Sequence, residues 1–578
     1  MASKASDSHT KLDSGQTDDS TVDLAEGQVQ RQHGNNGQSS EKNITELTQQ
    51  SMSKPEQQYV TGLKLQVVVG SAIPRITSDF HSLPDMGWYG SAYLLSSCAL
   101  QPLAGRLYTH LGSKACLFFP RSNAMKNANS TQSLFLSFLA LFEVGSVLCG
   151  AAQSSKMLIV GRVVAGMGGS GLTNGALTII SAAAPMHKQP LLVGIMFGIS
   201  QIGIICGPLI GGAFTEYVNW RWCFYVNLPI GAVAAVLLLM IHIPDRLSHN
   251  GSDKLTLRML LSNLDLTGFA LFASFAIMIE LGLEWGGQGV PWKSARIIGL
   301  LCGGIVALAL FAVWEYRVGE NAMIPPSVAG RREVWTSCLY LGFFSGALLC
   351  FTYYLPTYFQ AVKGVSPLIS GVYMLSGIVP QLIMAIVSGF FIGKTGYYLP
   401  WALAGAVIAC VAAGLVSTFT VHESTAKWVM YQFIGGFGRG CGLQAPIIAI
   451  QNTLRSKPEQ NSLGMSLAAF GQTFGGSLAL SIADILFEDG LVSGLESYAP
   501  SIDPSIIVKA GSTGFRQVVN SDQLPGVLQA YTGAIDKTFY LAAAFSGVTF
   551  VLAWGMGWHK LRKEAKDAPA QPLVDNLP

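Results

Sequence analysis

Five charged side chains stand inside otherwise apolar stretches of the sequence: Glu143, Arg162, Glu280, Arg439 and Asp484. On insertion scales an ionisable group at membrane depth costs about 2.5 to 3.5 kcal/mol, so each of them is a candidate site. Glu143 lies near the middle of its stretch and Arg162 a turn or two inside the next. Adjacent antiparallel helices can bring the two together. A carboxylate beside a guanidinium can then take up and release a proton, or serve only as a buried ion pair that locks two helices. Asn174, Gln201 and Asn227 can add neutral hydrogen-bonding groups to the same cavity, or bond neighbouring helices. Arg439, among Gly435, Gly436, Gly438, Gly440 and Gly442, is a cation that can meet an anionic group. Tyr353, with Tyr354, Tyr358 and Phe359, gives one stretch enough aromatic surface to line a pocket for flat apolar compounds, although aromatics at span ends also anchor helices at the interface. Asp484 sits near the end of its stretch, where it can reach water.

The elements that must hold these groups are membrane helices. The chain has 578 residues, 50% of them apolar and only 12% charged. A bilayer core of about 30 Å requires some 20 apolar residues as a helix, because lipid offers the backbone no hydrogen-bond partner. Apolar segments that meet this run at Trp88–Leu107, Leu134–Ala152, Leu158–Ala183, Leu191–Phe214, Trp222–Ile243, Leu266–Glu284, Ile297–Trp314, Trp335–Phe359, Gly371–Ile392, Trp401–Phe419, Val429–Ile450, Leu463–Phe487 and Thr538–Trp558. The expected fold class is therefore all-α, a polytopic helical bundle.

Lys and Arg set the orientation. Arg106, Lys114, Arg121, Lys126, Lys188, Arg246, Lys254, Arg258, Arg317, Arg331, Arg332, Lys394, Arg455 and Lys457 fall in one set of alternate loops, and Lys560 to Lys566 follow in the tail. That set is expected in the cytosol. A net charge of +3 with scattered basic residues gives no case for nucleic acid. The ten cysteines lie in or beside apolar segments without a Cys-x-x-Cys pair, which supports neither a disulfide framework nor a metal site. No phosphate-binding loop of the Walker kind occurs, and no nucleophile, base and orienting group recur in recognisable order. Neither an enzyme nor a cofactor is expected.

The segment Leu191–Phe214 carries the most specific pattern. Gly194, Gly198, Gly203, Gly207 and Gly211 recur at helical spacing, with Pro208 and Gly212 beside them, and no charge interrupts the run. Residues four apart share a face on which a neighbouring helix can come almost backbone to backbone. The order Gly-x-x-x-Gly-Pro-x-x-Gly-Gly resembles the antiporter signature in helix five of major facilitator superfamily exporters. Trp220 to Gly231 is similar to the start of helix six in their fungal fourteen-span drug:proton antiporter branch, the toxin and mycotoxin efflux type. Gly161 to Gly168 matches the helix-four pattern of proton-driven members, in which the arginine, here Arg162, is associated with proton transfer. The resemblance covers about Ala72 to Trp558. It implies two six-helix halves plus two extra central helices, with Glu280 on the extra pair and away from the transport path.

Two departures from that pattern stand out. Only Leu65 and Val67–Val69 supply an apolar core between Tyr59 and Thr77, and the acidic residue of the family's first helix is absent. In the loop pattern Gly105 to Lys114, Thr109 and His110 replace an Asp and an Arg, and a polar insert follows at about 120–132. A wrongly joined coding sequence and a true loop extension both account for these features. The expected organisation is a disordered cytosolic tail over 1–58, a first half over 59–243 with a truncated first helix, the extra helices over 244–334, a second half over 335–558 with an extracellular loop at 488–536, and a cytosolic tail over 559–578.

The function this implies is secondary active export of hydrophobic xenobiotics or an endogenous fungal secondary metabolite, by proton antiport with alternating access, in the plasma membrane or an internal one. Glu143 and Arg162 are expected to couple protons. Gly198, Gly203, Gly207, Pro208, Gly211 and Gly212 are the expected rocking surface, and Asn174, Gln201, Asn227, Tyr353 and Arg439 the candidate cavity. The expected partners are a small hydrophobic substrate, protons and lipid, with the chain as a monomer. An importer of a nutrient or siderophore on the same fold, or a transport-incompetent sensor or non-functional product, are the alternatives.

Overall fold

A computed structural model of the chain describes residues 76, 79–80, 86–111, 130–185, 187–240, 264–287, 291–455 and 458–561, all within the compact unit Lys54–Pro578. The expectations for the tail 1–58, for the shortened segment at 59–77 apart from Ile76, for the insert as far as Asn129 and for the tail from Arg562 lie outside the described residues.

The described residues are helical almost throughout, with one isolated bridge between Tyr397 and Lys560. The helices are α1 (Met86–Leu111), α2 (Ser130–Gly150), α3 (Ser155–Ala183), α4 (Gln189–Tyr217), α5 (Trp222–Tyr225) and α6 (Asn227–Met240). After them come α7 (Leu266–Gly287) and α8 (Ala295–Val318). The chain continues with α9 (Arg332–Thr357), α10 (Pro367–Thr395), α11 (Leu399–Val416), α12 (Thr425–Gly442), α13 (Ala445–Thr453), α14 (Pro458–Tyr498), α15 (Pro504–Val518) and α16 (Leu524–Gly555). Among the described residues, ten stretches combine the length and apolarity a membrane crossing needs. Each segment read as a span falls on one or two of these helices.

The segment 488–536 differs from the expected loop. The first part, 488–498, prolongs α14, then α15 follows, and 524–536 is the start of α16. The physical reason is packing: Gly490 and Gly494 let α14 run against Ala534 and Ala530 of α16, and Leu491 and Leu495 are buried. A four-residue glycine spacing carried the helix pair beyond its apolar part.

Two sets of helices repeat one arrangement. In the first half α3 packs on both α1 and α2; in the second, α12 packs on both α10 and α11. On α3, Gly161, Gly168 and Gly171 lie against Cys149, Phe142 and Phe138 of α2, while Gly166 and Gly169 meet Tyr93 of α1. On α12, Gly438 approaches Ala409 and Gly405 of α11, while Gly436 and Gly440 meet the carbonyls of Gly377 and Gln381 on α10. Each central helix thus carries two glycine faces on well-separated sides, about 140° apart on α3 and about 160° on α12 at 100° per residue.

The halves join by the same exchange. Helix α4 crosses α10 and α14 crosses α1. A Cβ on Gly194 would stand 2.6 Å from the Ala385 carbonyl, and one on Gly389 2.6 Å from that of Pro190. On the other crossing Gly105 faces Ser466, and beside it the hydroxyls of Thr178 on α3 and Ser462 on α14 lie 3.3 Å apart. These crossings sit at the helix ends that carry Arg106, Lys188, Lys394 and Arg455.

Helices α7 and α8 are built into this seam rather than set apart from it. Helix α7 packs on both α1 and α14. Phe272 and Phe275 stack against Phe470 and Phe474 of α14, and Trp285 meets Trp88 of α1 edge to face. Asp265, with a left-handed backbone (φ 46°), ties their basic ends: its carboxylate accepts from the Gly268 and Met323 amides and from Trp314 Nε1. Trp314, at the end of α8's apolar stretch, is fixed by this bond. Arg106 Nε of α1 donates to the Met323 carbonyl at 3.0 Å, and Gln460 Nε2 of α14 donates to Ser327 Oγ at 2.9 Å, so the segment after α8 touches both halves.

Candidate transport site

Arg162 is wholly buried on the α1 face of α3. Its Nε donates to the Tyr89 carbonyl at 2.7 Å and its guanidinium lies over the Tyr93 ring, 4.8 Å from the centroid. Tyr89 in turn donates its hydroxyl to Ser155 Oγ at the start of α3. Nη1 and Nη2 have no hydrogen-bond partner among the described residues.

Glu143 does not meet Arg162. The residues of α2 that face α3 are Phe138, Phe142, Gly145 and Cys149, a stripe at helical spacing. Glu143 is two residues from Gly145, about 200° around the helix. It therefore points the other way, against Gly231 of α6, and neither carboxyl oxygen has a hydrogen-bond partner among the described residues. Adjacency of α2 and α3 was legible in the sequence; their rotation about their own axes corrects the pair.

Asn174 and Asn227 hold helices together. Asn174 Nδ2 donates to the Gln101 carbonyl on α1 at 3.0 Å, and Asn227 Nδ2 to Ser146 Oγ on α2 at 3.4 Å. On α4, Gly194 and Gly198 face Ala385 and Leu382 of α10, so this part of the glycine pattern lies on the contact between halves. Gly203, Gly207 and Gly211 are buried, and the Gly211 carbonyl accepts from Thr215 Oγ1 at 2.6 Å. The helix runs through Gln201, Pro208 and Gly212, whose side-chain surroundings lie outside the described residues.

Arg439 is the counterpart of Arg162 in the second half, on the α10 face of α12. Its Nε donates to Gln381 Oε1 at 3.2 Å and its guanidinium lies 4.4 Å from the Phe351 centroid. Nη1 is buried without a hydrogen-bond partner among the described residues, as are Gln381 Nε2 and both amide atoms of Gln432. Sequence reading missed Gln381 and Gln432. The available signal was spacing: Gln432 precedes Arg439 by seven residues, two turns, and so shares its face.

Tyr353 is 47% exposed on α9, within electrostatic reach of Asp484 and of Glu284 on α7. Tyr354, one residue on, donates its hydroxyl to Asp484, which binds that carboxylate more firmly than solvent contact alone. Glu280 is buried, with the Cys98 thiol of α1 hydrogen-bonded to its carboxylate and Oε1 unpartnered, and one turn on Ser91 donates to Glu284 at 3.1 Å. Its helix lies at the seam between the halves, not apart from them.

No group of three or more His, Cys, Asp or Glu side chains arranged to hold a metal occurs among the described residues. What the arrangement offers is two buried cations, one in each repeat of a two-half helical bundle joined by crossed helices. That is the architecture of a secondary transporter. The sequence profile of the Major Facilitator Superfamily matches residues 64–480, and the chain belongs to that superfamily. It is 59% identical to a protein named efflux pump mlcE of Penicillium citrinum over 90% of this chain and 95% of that one. Efflux pump mokI of Monascus pilosus is 58% identical, over 89% and 95%. Among solved structures the proton:xylose symporter XylE shares the fold, with a TM-score of 0.52 at 14% identity over 88% of this chain and 95% of that one. The chain is a multi-pass membrane protein.

Proposed function

We propose that the protein exports hydrophobic xenobiotics or an endogenous secondary metabolite by proton antiport, through alternating access of its two halves. The observation that carries this reading is the seam. Helices α4 and α10 meet glycine against backbone, and α1 and α14 meet with Gly105 against Ser466, at the ends expected in the cytosol. Close glycine crossings permit sliding and rocking with little side-chain rearrangement. Within the halves, Arg162 and Arg439 hold fixed positive charge at membrane depth. The names of relatives that match nearly the whole chain favour export over import.

In this mechanism Arg162 is the coupling cation. A buried guanidinium with two unpartnered nitrogens favours ionisation of a carboxyl brought near it and opposes that of one moved away, so rocking that changes its neighbours moves a proton. Glu143 is the nearest described acid on the adjoining helix, and it reaches Arg162 only if α2 rotates. The plasma membrane is the proposed site of action and the monomer the proposed unit.

Inverted membrane vesicles from cells expressing the protein test this. An imposed proton gradient, acid inside, should drive uptake of a hydrophobic fluorescent dye, and Arg162→Ala should abolish it. Uptake that ignores the gradient, or flux in the opposite sense, defeats the reading; the latter favours an importer.

A further inference from the structure

Arg439 differs from a structural arginine in what surrounds it. Among the described residues no carboxylate faces it: its partners are one amide oxygen, that of Gln381, and the ring of Phe351. Arg439 is 7% exposed and Gln381 and Gln432 1% each, so a full positive charge and two amides lie out of water without a counter-ion. Isolated charge of that kind is costly unless an anion completes it. Four polar atoms there are unpartnered: Arg439 Nη1, Gln381 Nε2, and Gln432 Nε2 and Oε1. Three of the four are donors.

The donors converge on bare backbone at the same place. A Cβ on Gly435 would stand 3.0 Å from Arg439 Nη1, and one on Gly377 of α10 3.5 Å from Nη2. That same Gly377 position lies 3.6 Å from Gln432 Cβ, so the guanidinium and the second glutamine converge on it from α12. Two glycines, on facing helices, thus present bare backbone rather than side chains to the donors.

We propose that Arg439, Gln381 and Gln432 form an anion site inside the second half, which takes the carboxylate head of an amphipathic organic acid as cargo. The guanidinium supplies a charge-assisted hydrogen bond through Nη1, and the two amide Nε2 groups donate to the carboxylate oxygens. An apolar body is the part that suits the remaining surroundings, Phe351 and the alanine-rich wall of α11 around Ala412. The site rests on the export reading for its role as cargo, but not for its chemistry.

Calorimetric binding to the full-length protein in lipid nanodiscs tests the site, with decanoate as probe and decanamide and inorganic phosphate as comparison arms. Decanoate should bind about tenfold or more tighter than decanamide. Arg439→Gln should erase that preference and Gln432→Leu should reduce it, while Arg439→Lys, which keeps the charge, should retain part of it. Melting curves of each variant confirm that a folded protein was measured. Equal affinity for decanoate and decanamide, or a preference that survives Arg439→Gln in a folded variant, overturns the proposal. Phosphate binding with the same dependence on Arg439 overturns the organic-acid class. If decanoate binds as described while no dye crosses vesicles of the same protein, export fails and the anion site stands.

Discussion

The two halves of the bundle place a buried arginine on corresponding helices, the eighth residue of α3 and the fifteenth of α12, and then treat it differently. Both arginines lie over an aromatic ring and both donate through Nε. Arg162 gives its Nε hydrogen to a main-chain carbonyl of α1, and Tyr89, which offers that carbonyl, is itself tied to α3 through Ser155. Arg439 gives its Nε hydrogen to a glutamine side chain, beside a second glutamine with no partner. A backbone contact moves only when helices move; a side-chain contact yields to a ligand. On the reading proposed above, the first half senses helix motion and the second accepts cargo.

Overpacking gives the largest effect. Gly436→Leu sets a side chain into the Gly377 carbonyl, and Gly166→Leu sets one into that of Tyr93. Each should cost about 1 to 3 kcal/mol of stability, read as a lower melting temperature. Their specific losses should divide: decanoate preference for Gly436→Leu, proton-driven dye uptake for Gly166→Leu. If the two losses coincide, the division of labour is wrong.

Removing each charge without adding bulk sharpens the contrast. Arg162→Gln should cut gradient-driven dye uptake by more than about tenfold and keep decanoate affinity within about threefold. Arg439→Gln should do the reverse to decanoate.

A smaller change is expected at Glu143. Glu143→Gln removes a carboxyl that has no hydrogen-bond partner and packs on Gly231, so its effect on the melting temperature should fall within that of about 1 kcal/mol. A large loss of coupling with intact stability would place Glu143 near Arg162 in another state of the cycle.

The smallest effect lies on the connection between α11 and α12. Burial acts to raise the Glu423 pKa, but hydrogen bonds from Lys427 and Thr420 outweigh it and hold the carboxyl below its usual range. A lowered folded pKa contributes stability above the unfolded value of about 4.3 and loses it as pH falls through the folded one. Glu423→Gln should therefore lower the melting temperature slightly at neutral pH, and the difference from the unmodified protein should shrink as pH falls through the folded pKa.

Much of the fold was legible in the sequence because apolar length alone identifies a membrane helix, and α4 illustrates it: the span Leu191–Phe214 lies inside Gln189–Tyr217. The helical continuation over 488–498 was not legible that way, since Glu488, Asp489 and Glu496 make it polar while its glycines make it pack. Of the candidate site, Arg162 and Arg439 showed themselves through the cost of their charge. The Glu143 pairing went wrong because helix adjacency does not fix rotation, although the glycine stripe of α3 and the aromatic stripe of α2 together encode it. Gln381 and Gln432 escaped notice because a neutral amide among apolar residues carries little signal until its helix face is known.

Proton and dye fluxes measured together in proteoliposomes, for the unmodified protein, Arg162→Gln and Arg439→Gln, test the division most directly. The account predicts that Arg162→Gln loses dye-coupled proton movement while still binding decanoate, and that Arg439→Gln keeps proton movement coupled to a neutral dye while losing decanoate. Uncoupling by Arg439→Gln alone, with Arg162→Gln still coupled, would contradict it.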